Sequence, residues 1–349
     1  MKSFPKNSGR IPKSAVTLKS VAELVGLTAS TVSAVLNSSS AARSVPPHTK
    51  KRIVAAARAL DYRPNFFARS LRVKRTYMVG VILEEIGDAY GSLVISGIER
   101  YLRKQNVFFL TVAHRHDKKL LASYSTVLRE RGVEGFITVD TLLTEEPALP
   151  TVAVAGHRRI RGVTNLVLDH RRAASLALSH LADLGHEKIA FMRGSKLSTD
   201  SDDRWNAICE VAAKIGIRMR QELIIELKGD DPTPNLGYPF AKLLLERKQT
   251  FTALFAYNDI SAIGSICALQ EAGLRVPDDV SVVGFDDIQS AAYTNPPLTT
   301  VRQPLIKMGE TAARTLLERI EGKMKYVPEI AIEPELVVRR SSAQARAFS

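Results

Sequence analysis

Five side chains in this 349-residue chain carry the groups needed to hold a small polar molecule: the guanidinium of Arg204, the amides of Asn258 and Gln303, the carboxylate of Asp286 and the phenol of Tyr90. A planar fork donor with amide and carboxylate acceptors satisfies hydroxyl groups directionally, and an aromatic face covers the apolar side of a sugar. Asp88 and Asp169 are secondary candidates. Each also has a purely structural use, since Asp286 or Asp287 could cap a helix and Asn258-Asp259 could hold a turn. Other chemistries lack their motifs. The sequence contains no G-x-S-x-G elbow, P-loop or H-E-x-x-H, so no catalytic residue is assigned and no enzyme is expected. His114 and His116 stand one residue apart without a third ligand placed beside them, and they read as solvated or effector-lining imidazoles, with no metal or other cofactor expected. Cys209 and Cys267 are the only cysteines and read as small packed side chains.

Positioning these groups requires a scaffold. From residue 78 onward, short apolar runs (78–83, 107–112, 135–139, 151–155, 188–192, 253–257, 280–285) alternate with helical segments (93–104, 120–131, 172–184, 203–215, 235–246, 260–271). That alternation predicts an α/β body of parallel sheets with helices on both faces. Two such units in succession give two doubly wound subdomains, whose ligands bind outside the carboxyl ends of the strands. The cleft between the subdomains is the expected site, because the candidate residues fall at strand ends or in the loops that follow them.

Charge divides the chain unevenly. Residues 1–75 hold seven Lys and eight Arg against Glu23 and Asp61, while the remainder holds 34 basic and 34 acidic residues, so the whole net charge of +13 lies in the first fifth. A basic module on a balanced body is the footprint of a nucleic-acid reader with a second domain, a solubilising tail being the alternative. Thr17 caps a helix whose face is Leu18, Val21, Ala22, Leu24 and Val25, and Gly26 ends it. Thr28 caps a second, with Val32, Val35 and Leu36 inward and Ala29, Ser30, Thr31, Ser33 and Ala34 outward, an uncapped row of hydroxyls able to sit close to DNA. Two short helices around a tight glycine turn make a helix-turn-helix. A third helix, 47–60, carries Ile53, Val54, Ala57 and Leu60 inward and Lys50, Lys51, Arg52 and Arg58 outward, where cations neutralise phosphates. No apolar run approaches eighteen residues and residues 1–15 lack a secretory core, so a soluble cytoplasmic protein without membrane contact is expected.

The runs VTLKSVAELVGLTASTVSAVLN and RIVAAARALDYRPNFFARSLR resemble the DNA-binding headpiece of the lactose-repressor (LacI/GalR) family. LADLGHEKIAF, TALFAYNDISAIG, LRVPDDVSVVGFDD and NPPLTTVRQP resemble its type I periplasmic-binding-protein-like body, so the likeness spans the chain. Val21, Ala22, Gly26, Thr28, Thr31, Val32, Ser33, Val35, Leu36 and Asn37 meet the headpiece pattern. The resemblance implies that Ala29 and Ser30 read base edges in the major groove, that Ala34 replaces a commonly long reader, and that Thr17, Thr28, Thr31, Ser33 and Asn37 complete the DNA-facing set. Arg43, in a loop longer than usual, either contacts DNA or is solvated. Residues 66–72 look like the family's hinge helix, with Asn65 and Arg69 at the DNA and Leu71 either wedged into the minor groove or packed as a linker residue. Tyr90, Arg204, Asn258, Asp286 and Gln303 match effector-contacting positions, whereas Gly91, Gly156-His157 and Ala207-Ile208 depart from the family and leave the effector's identity open.

The implied organisation is a basic arm (1–15), headpiece (16–64), hinge (65–75), body (76–340) and tail (341–349). Subdomain 1 comprises 76–184 and 305–331, subdomain 2 comprises 186–303 and 332–340, and crossings fall near Gly185, Pro304 and Ile332. Lys323 to Lys325 and the tail from Arg339 read as solvated surface and a frayed end. The implied function is that of a homodimeric, sequence-specific repressor on a pseudo-palindromic double-stranded operator, controlled by a sugar-like effector. Two rivals stand beside it. A plain solute-binding protein would need an export signal and leaves the basic module unexplained; an α/β enzyme would use Asp286 and Asp287 as acid and base.

Overall fold

The computed structural model describes residues 16–37, 39–63, 70, 74–155, 159–196, 198, 200–229 and 231–346, and the chain divides into two compact units between Thr76 and Tyr77. In the first unit, α1 (Leu18–Val25) opens on a capping box in which Thr17 and Ser20 exchange side-chain-to-backbone bonds. Gly26 closes it at φ +65°, a left-handed conformation that costs glycine nothing. α2 (Ala29–Leu36) follows at a bend of 108°, and a 3-10 turn (Ser40–Ser44) leads into α3 (Pro47–Ala59). Val21, Ala22, Val25, Val32, Ile53, Ala56 and Ala57 form the core. Leu24 and Val54 are exposed instead of buried, Ala56 taking the inward place on α3. Ser33 and Ala34, expected to face outward, are buried, because the long loop folds back as the 3-10 turn and packs on α2.

The second unit holds two six-stranded sheets. The first has the order β11-β5-β4-β3-β1-β2 and is wholly parallel: β1 (Met78–Leu83), β2 (Phe108–Ala113), β3 (Phe136–Val139), β4 (Thr151–Val154), β5 (Val163–Leu168) and β11 (Glu329–Ile332). In the second, β6 (Ile189–Arg193), β7 (Ile224–Glu226), β8 (Ala253–Phe255), β9 (Ser281–Asp286), β10 (Thr299–Arg302) and β12 (Glu335–Val337) lie in the order β12-β10-β9-β8-β6-β7, with only β12 antiparallel. The connecting helices are α4 (Ala89–Lys104), α5 (Lys118–Glu130), α6 (His170–Asp183), α7 (Ser201–Lys214), α8 (Tyr238–Glu246), α9 (Asp259–Glu271) and α10 (Leu305–Ile320). β5, β7, β10, β11 and β12 escape the hydrophobic pattern because they are short or interrupted by polar residues such as Asn165 and Glu335.

The chain passes between the sheets three times. The first passage is at Asp169 and not near Gly185, because α6 packs against α7, β10 and β12 of the second sheet. Its buried face of Ala173, Ala174, Ala177, Leu178 and Leu181 commits it there. α10 returns to the first sheet, packing on α4, β3 and β4, and the last passage separates β11 from β12. The tail is docked and not frayed through Arg346. Ser341 is fully buried, accepting from Thr299 N (2.7 Å) and donating to Val282 O (2.6 Å), while Ala345 N reaches Leu184 O (2.8 Å). Among the described residues, no single helix is long and apolar enough to cross a membrane.

Candidate functional site

A cavity of about 110 Å³ lies between the two sheets, lined from one side by Glu84, Glu85, Asp88, Tyr90 and Asp140 and from the other by Ser195, Ser198, Asp200, Arg204, Tyr257, Asn258 and Asp286. It has room for several times a single water. Three of its lining residues turn the chain at strand ends through left-handed backbone: Asp140 (φ +42°) after β3, Ala155 (φ +57°) after β4 and Asp286 (φ +110°) at the end of β9. Non-glycine residues hold such angles only where their surroundings enforce them, a feature that clusters at binding sites.

Arg204, on the first turns of α7, organises the floor. Its guanidinium pairs with Asp200, donates from Nη1 to Tyr257 O (2.7 Å) and stacks 3.8 Å from the Phe285 ring centroid and 4.6 Å from that of Tyr257. Burial works against its charge, but the carboxylates of Asp200 and Asp286 and the Tyr257 ring outweigh burial and raise its pKa. Asp200 also meets His170 Nε2 at 2.6 Å, which ties the floor to the first residue of α6 beside the passage between sheets. Tyr257 enters the cavity over Gly194, where a Cβ would stand 2.3 Å from its ring, and its hydroxyl donates to Ser198 Oγ (2.7 Å). Burial pushes the phenols of Tyr257 and Tyr90 up. Asp286, deeply buried, accepts from Gln303 Nε2 (2.7 Å), and burial raises its carboxyl well above the ordinary range despite Arg204.

Of the sequence candidates, Asp88, Tyr90, Arg204, Asn258 and Asp286 line the cavity. Asp88 also caps α4 through Gly91 N (2.9 Å), and Asn258 caps α9 through Ser261 N (2.9 Å). Gln303 stands behind Asp286 and is not part of the lining. Asp169 is exposed and caps α6, outside this cavity. His114 is buried against Thr141 Oγ1 (3.1 Å), His116 is half-buried and pairs with Glu84, and neither lines the cavity. Asp287 is clasped by Arg302 (2.7 Å) and Arg339 (2.6 Å) outside the cavity, which separates the acid-base pair an enzyme would need and corrects the reading of Arg339 as solvated. Cys209 is half-buried and Cys267 exposed, so neither is the fully packed thiol expected. Sequence reasoning missed Asp140, Asp200 and Tyr257, although Asp140 directly follows β3 and Tyr257 stands two residues after β8, where the strand-end rule points.

In the first unit, Thr28, Ala29 and Ser30 are exposed at the start of α2, and Arg43 is exposed on the 3-10 turn. The hydroxyls are not uncapped: Thr28 Oγ1 bonds Ser30 Oγ and Thr31 Oγ1, both at 2.9 Å. Asn37 donates to Ser33 O (2.9 Å) and finishes the helix, and Thr17 is engaged in the cap of α1. Arg52 is exposed as expected, but its Nη2 donates to Val25 O (3.1 Å), capping α1. Asn65, Arg69 and Leu71, with the arm of residues 1–15, lie outside the described residues.

Comparison with known proteins agrees with this two-part construction. The family of bacterial regulatory proteins, lacI family, matches residues 17–65, and a periplasmic binding protein-like domain matches residues 178–342. The HTH-type transcriptional repressor PurR of Mannheimia succiniciproducens is 32% identical over 334 residues, covering 93% of this chain and 98% of that protein. The lac repressor dimer bound to operator and the anti-inducer ONPF has a TM-score of 0.82 at 25% identity, over 94% of this chain and 99% of that one. A LacI family transcriptional regulator from Enterococcus faecium with bound ribose has a TM-score of 0.67 at 28% identity, over 77% of this chain and 100% of that one.

Proposed function

The chain belongs to the lacI family of bacterial regulatory proteins and is an effector-controlled, DNA-binding transcriptional repressor, and from that premise we propose that its cleft holds a sugar-like effector and its headpiece a pseudo-palindromic operator. The observation that carries the effector assignment is the cavity itself, where a fork donor, carboxylates and two phenols from both sheets surround one small space. A molecule bridging both sides stabilises one arrangement of the two sheets, and by linkage it alters operator affinity by the same factor that the operator alters its own. The ribose held by the Enterococcus faecium relative supports a hydroxylated ligand.

On the DNA side, Ala29 and Ser30 face the major groove, Arg43 meets the backbone and Leu71 is the minor-groove wedge of the hinge. The active species is a cytoplasmic homodimer, which presents two recognition helices about one helical turn apart. Its support in this chain is the apolar edge of the first sheet, where Phe108 is 73% and Leu110 38% exposed on β2, with Leu120 and Val127 exposed on the neighbouring α5. An edge strand with such a face invites pairing with a second copy. A thermal-shift screen against sugars, sugar phosphates and purines tests the effector reading. A ligand at one hundred times its dissociation constant adds about 2.7 kcal/mol, and the same ligand must then shift operator affinity. A stabilising ligand without effect on operator binding would refute control through the cleft.

A further inference from the structure

We propose that His170 transmits the state of the cavity to the passages between the sheets, and that it does so through Asp200. The proposal rests on the cleft being the effector site and names the contact by which an occupant of that site is felt outside it.

Asp200 stands at the N-cap position of α7, where an aspartate ordinarily accepts from the first turn of its helix. Asp88, Asp117, Asp169 and Asn258 all do so at the same position of α4, α5, α6 and α9. The Asp200 side chain makes no such bond, and its two oxygens serve two neighbours instead. Oδ2 pairs with Arg204 in the cavity floor, and Oδ1 lies 2.6 Å from Nε2 of His170. An aspartate withheld from the cap of its own helix is held by partners on both sides of it.

His170 is the first residue of α6, directly after the chain has left the first sheet, and it does not line the cavity. The residue before it fastens that point: Asp169 N donates to Ile332 O (3.0 Å) at the end of β11, from which the last passage leaves. A displacement at His170 therefore reaches the first passage through the chain itself and the last through one backbone hydrogen bond. The side chains of Arg204, Asp200 and His170 are each a tenth exposed or less. Polar contacts so far from water are strengthened, and breaking one is costly. A ligand hydroxyl that bonds Arg204 or Asp200 redistributes these contacts, and His170 is where the change leaves the cavity.

The test is a double-mutant cycle in the full chain, read by amide hydrogen exchange without any ligand. Arg204→Met removes the guanidinium from the cavity side, and His170→Phe keeps a ring while removing both nitrogens. With His170 in place, Arg204→Met should speed exchange at the amides of Asp169, Arg172 and Ala173 roughly tenfold, as expected for groups in one network. In the His170→Phe background the same change should alter them by less than about twofold. His170→Gln, whose amide nitrogen reaches the place of Nε2, should restore the response. Equal responses with His170 and with Phe, or no response in either, overturn the proposal; His170→Ala replaces the ring variant if that one does not fold. A second arm titrates D-ribose, D-glucose and D-galactose, with a duplex selected from a random pool by the wild type as operator. A sugar that binds should keep its dissociation constant within about threefold in His170→Phe, while the factor by which it shifts operator affinity falls toward one. A retained factor overturns the proposal and leaves the cleft intact. A sugar whose affinity survives Arg204→Met overturns the cleft reading instead, and the cycle still decides the role of His170.

Discussion

Asp200 joins Arg204 to His170, so one carboxylate connects the cavity floor with the point where the chain leaves the first sheet for the second. Arg204→Ala and Asp286→Ala should each abolish the effector response and leave operator binding in place, since losing a charged partner to a buried hydroxyl costs about 1.5 to 3 kcal/mol. Titration calorimetry and fluorescence anisotropy on the same variants check both halves. Asp259 supplies a pH signature of its own. It is fully buried, accepting from Ile288 N (2.9 Å) and Thr300 Oγ1 (2.5 Å), and burial pushes its carboxyl up to about 7 in spite of those bonds. Between about pH 4 and 7 the native state therefore keeps a proton that the unfolded chain has released. Its stabilising contribution is full below that window and is lost as pH rises through it. The melting temperature of the wild type should fall from pH 5 to 7.5 relative to that of Asp259→Asn, and parallel curves would show that the carboxyl titrates elsewhere.

At the scale of elements, the headpiece shows how a cation can be diverted from DNA. Arg52 lies on the basic outer face of α3, but its bond to Val25 O closes the end of α1 next to Gly26. Arg52→Ala should accordingly loosen α1 by about 1 to 2 kcal/mol, read as faster hydrogen exchange at Val25 and Gly26. Unchanged protection there would return Arg52 to the phosphate-contacting set. Helical periodicity alone could not choose between Val54 and Ala56 on α3, because both lie within one turn of Ile53 and Ala57. The choice was made by α1 and α2, which cover only one of the two sides. Likewise, the burial of Ser33 and Ala34 follows from the fold of the 3-10 turn and has no signature in α2 itself.

For the whole molecule, the placement of charge makes DNA binding a property of one unit. Residues 1–75 carry the entire excess of +13, so operator affinity should fall with a log-log salt slope of about 0.9 per phosphate contacted, and a chain starting at Tyr77 should lose that slope entirely. Retention of it by the truncated chain would move the DNA site into the body. Leu71→Ala tests the hinge in the full-length protein. If the wedge operates, operator affinity drops well beyond tenfold and gel-shift bending diminishes, while effector binding without DNA is unchanged. If Leu71 instead packs on its surroundings, stability drops by about 1 to 3 kcal/mol of lost apolar burial, read as a lower melting temperature, with bending intact.

The parts of this protein that depend on local periodicity were legible in its sequence: the three headpiece helices, their Thr17, Thr28 and Gly26 punctuation, the alternating body and the strand ends where Asn258 and Asp286 line the cavity, whereas Arg204 reaches it from within α7. Apolar spacing and capping chemistry act over a few residues and leave their mark on the chain directly. Which of two adjacent aspartates faces the cavity was left to tertiary structure, because Arg302 and Arg339 reach Asp287 from 15 and 52 residues away. The same holds for Asp169, removed from the cavity because α6 buries its apolar face on the second sheet. It holds for the tail, whose serines and backbone find partners on β9 and β10 that no local pattern announces. Long-range partners decide burial and charge, and the spacing of residues along a chain does not encode which distant groups will meet.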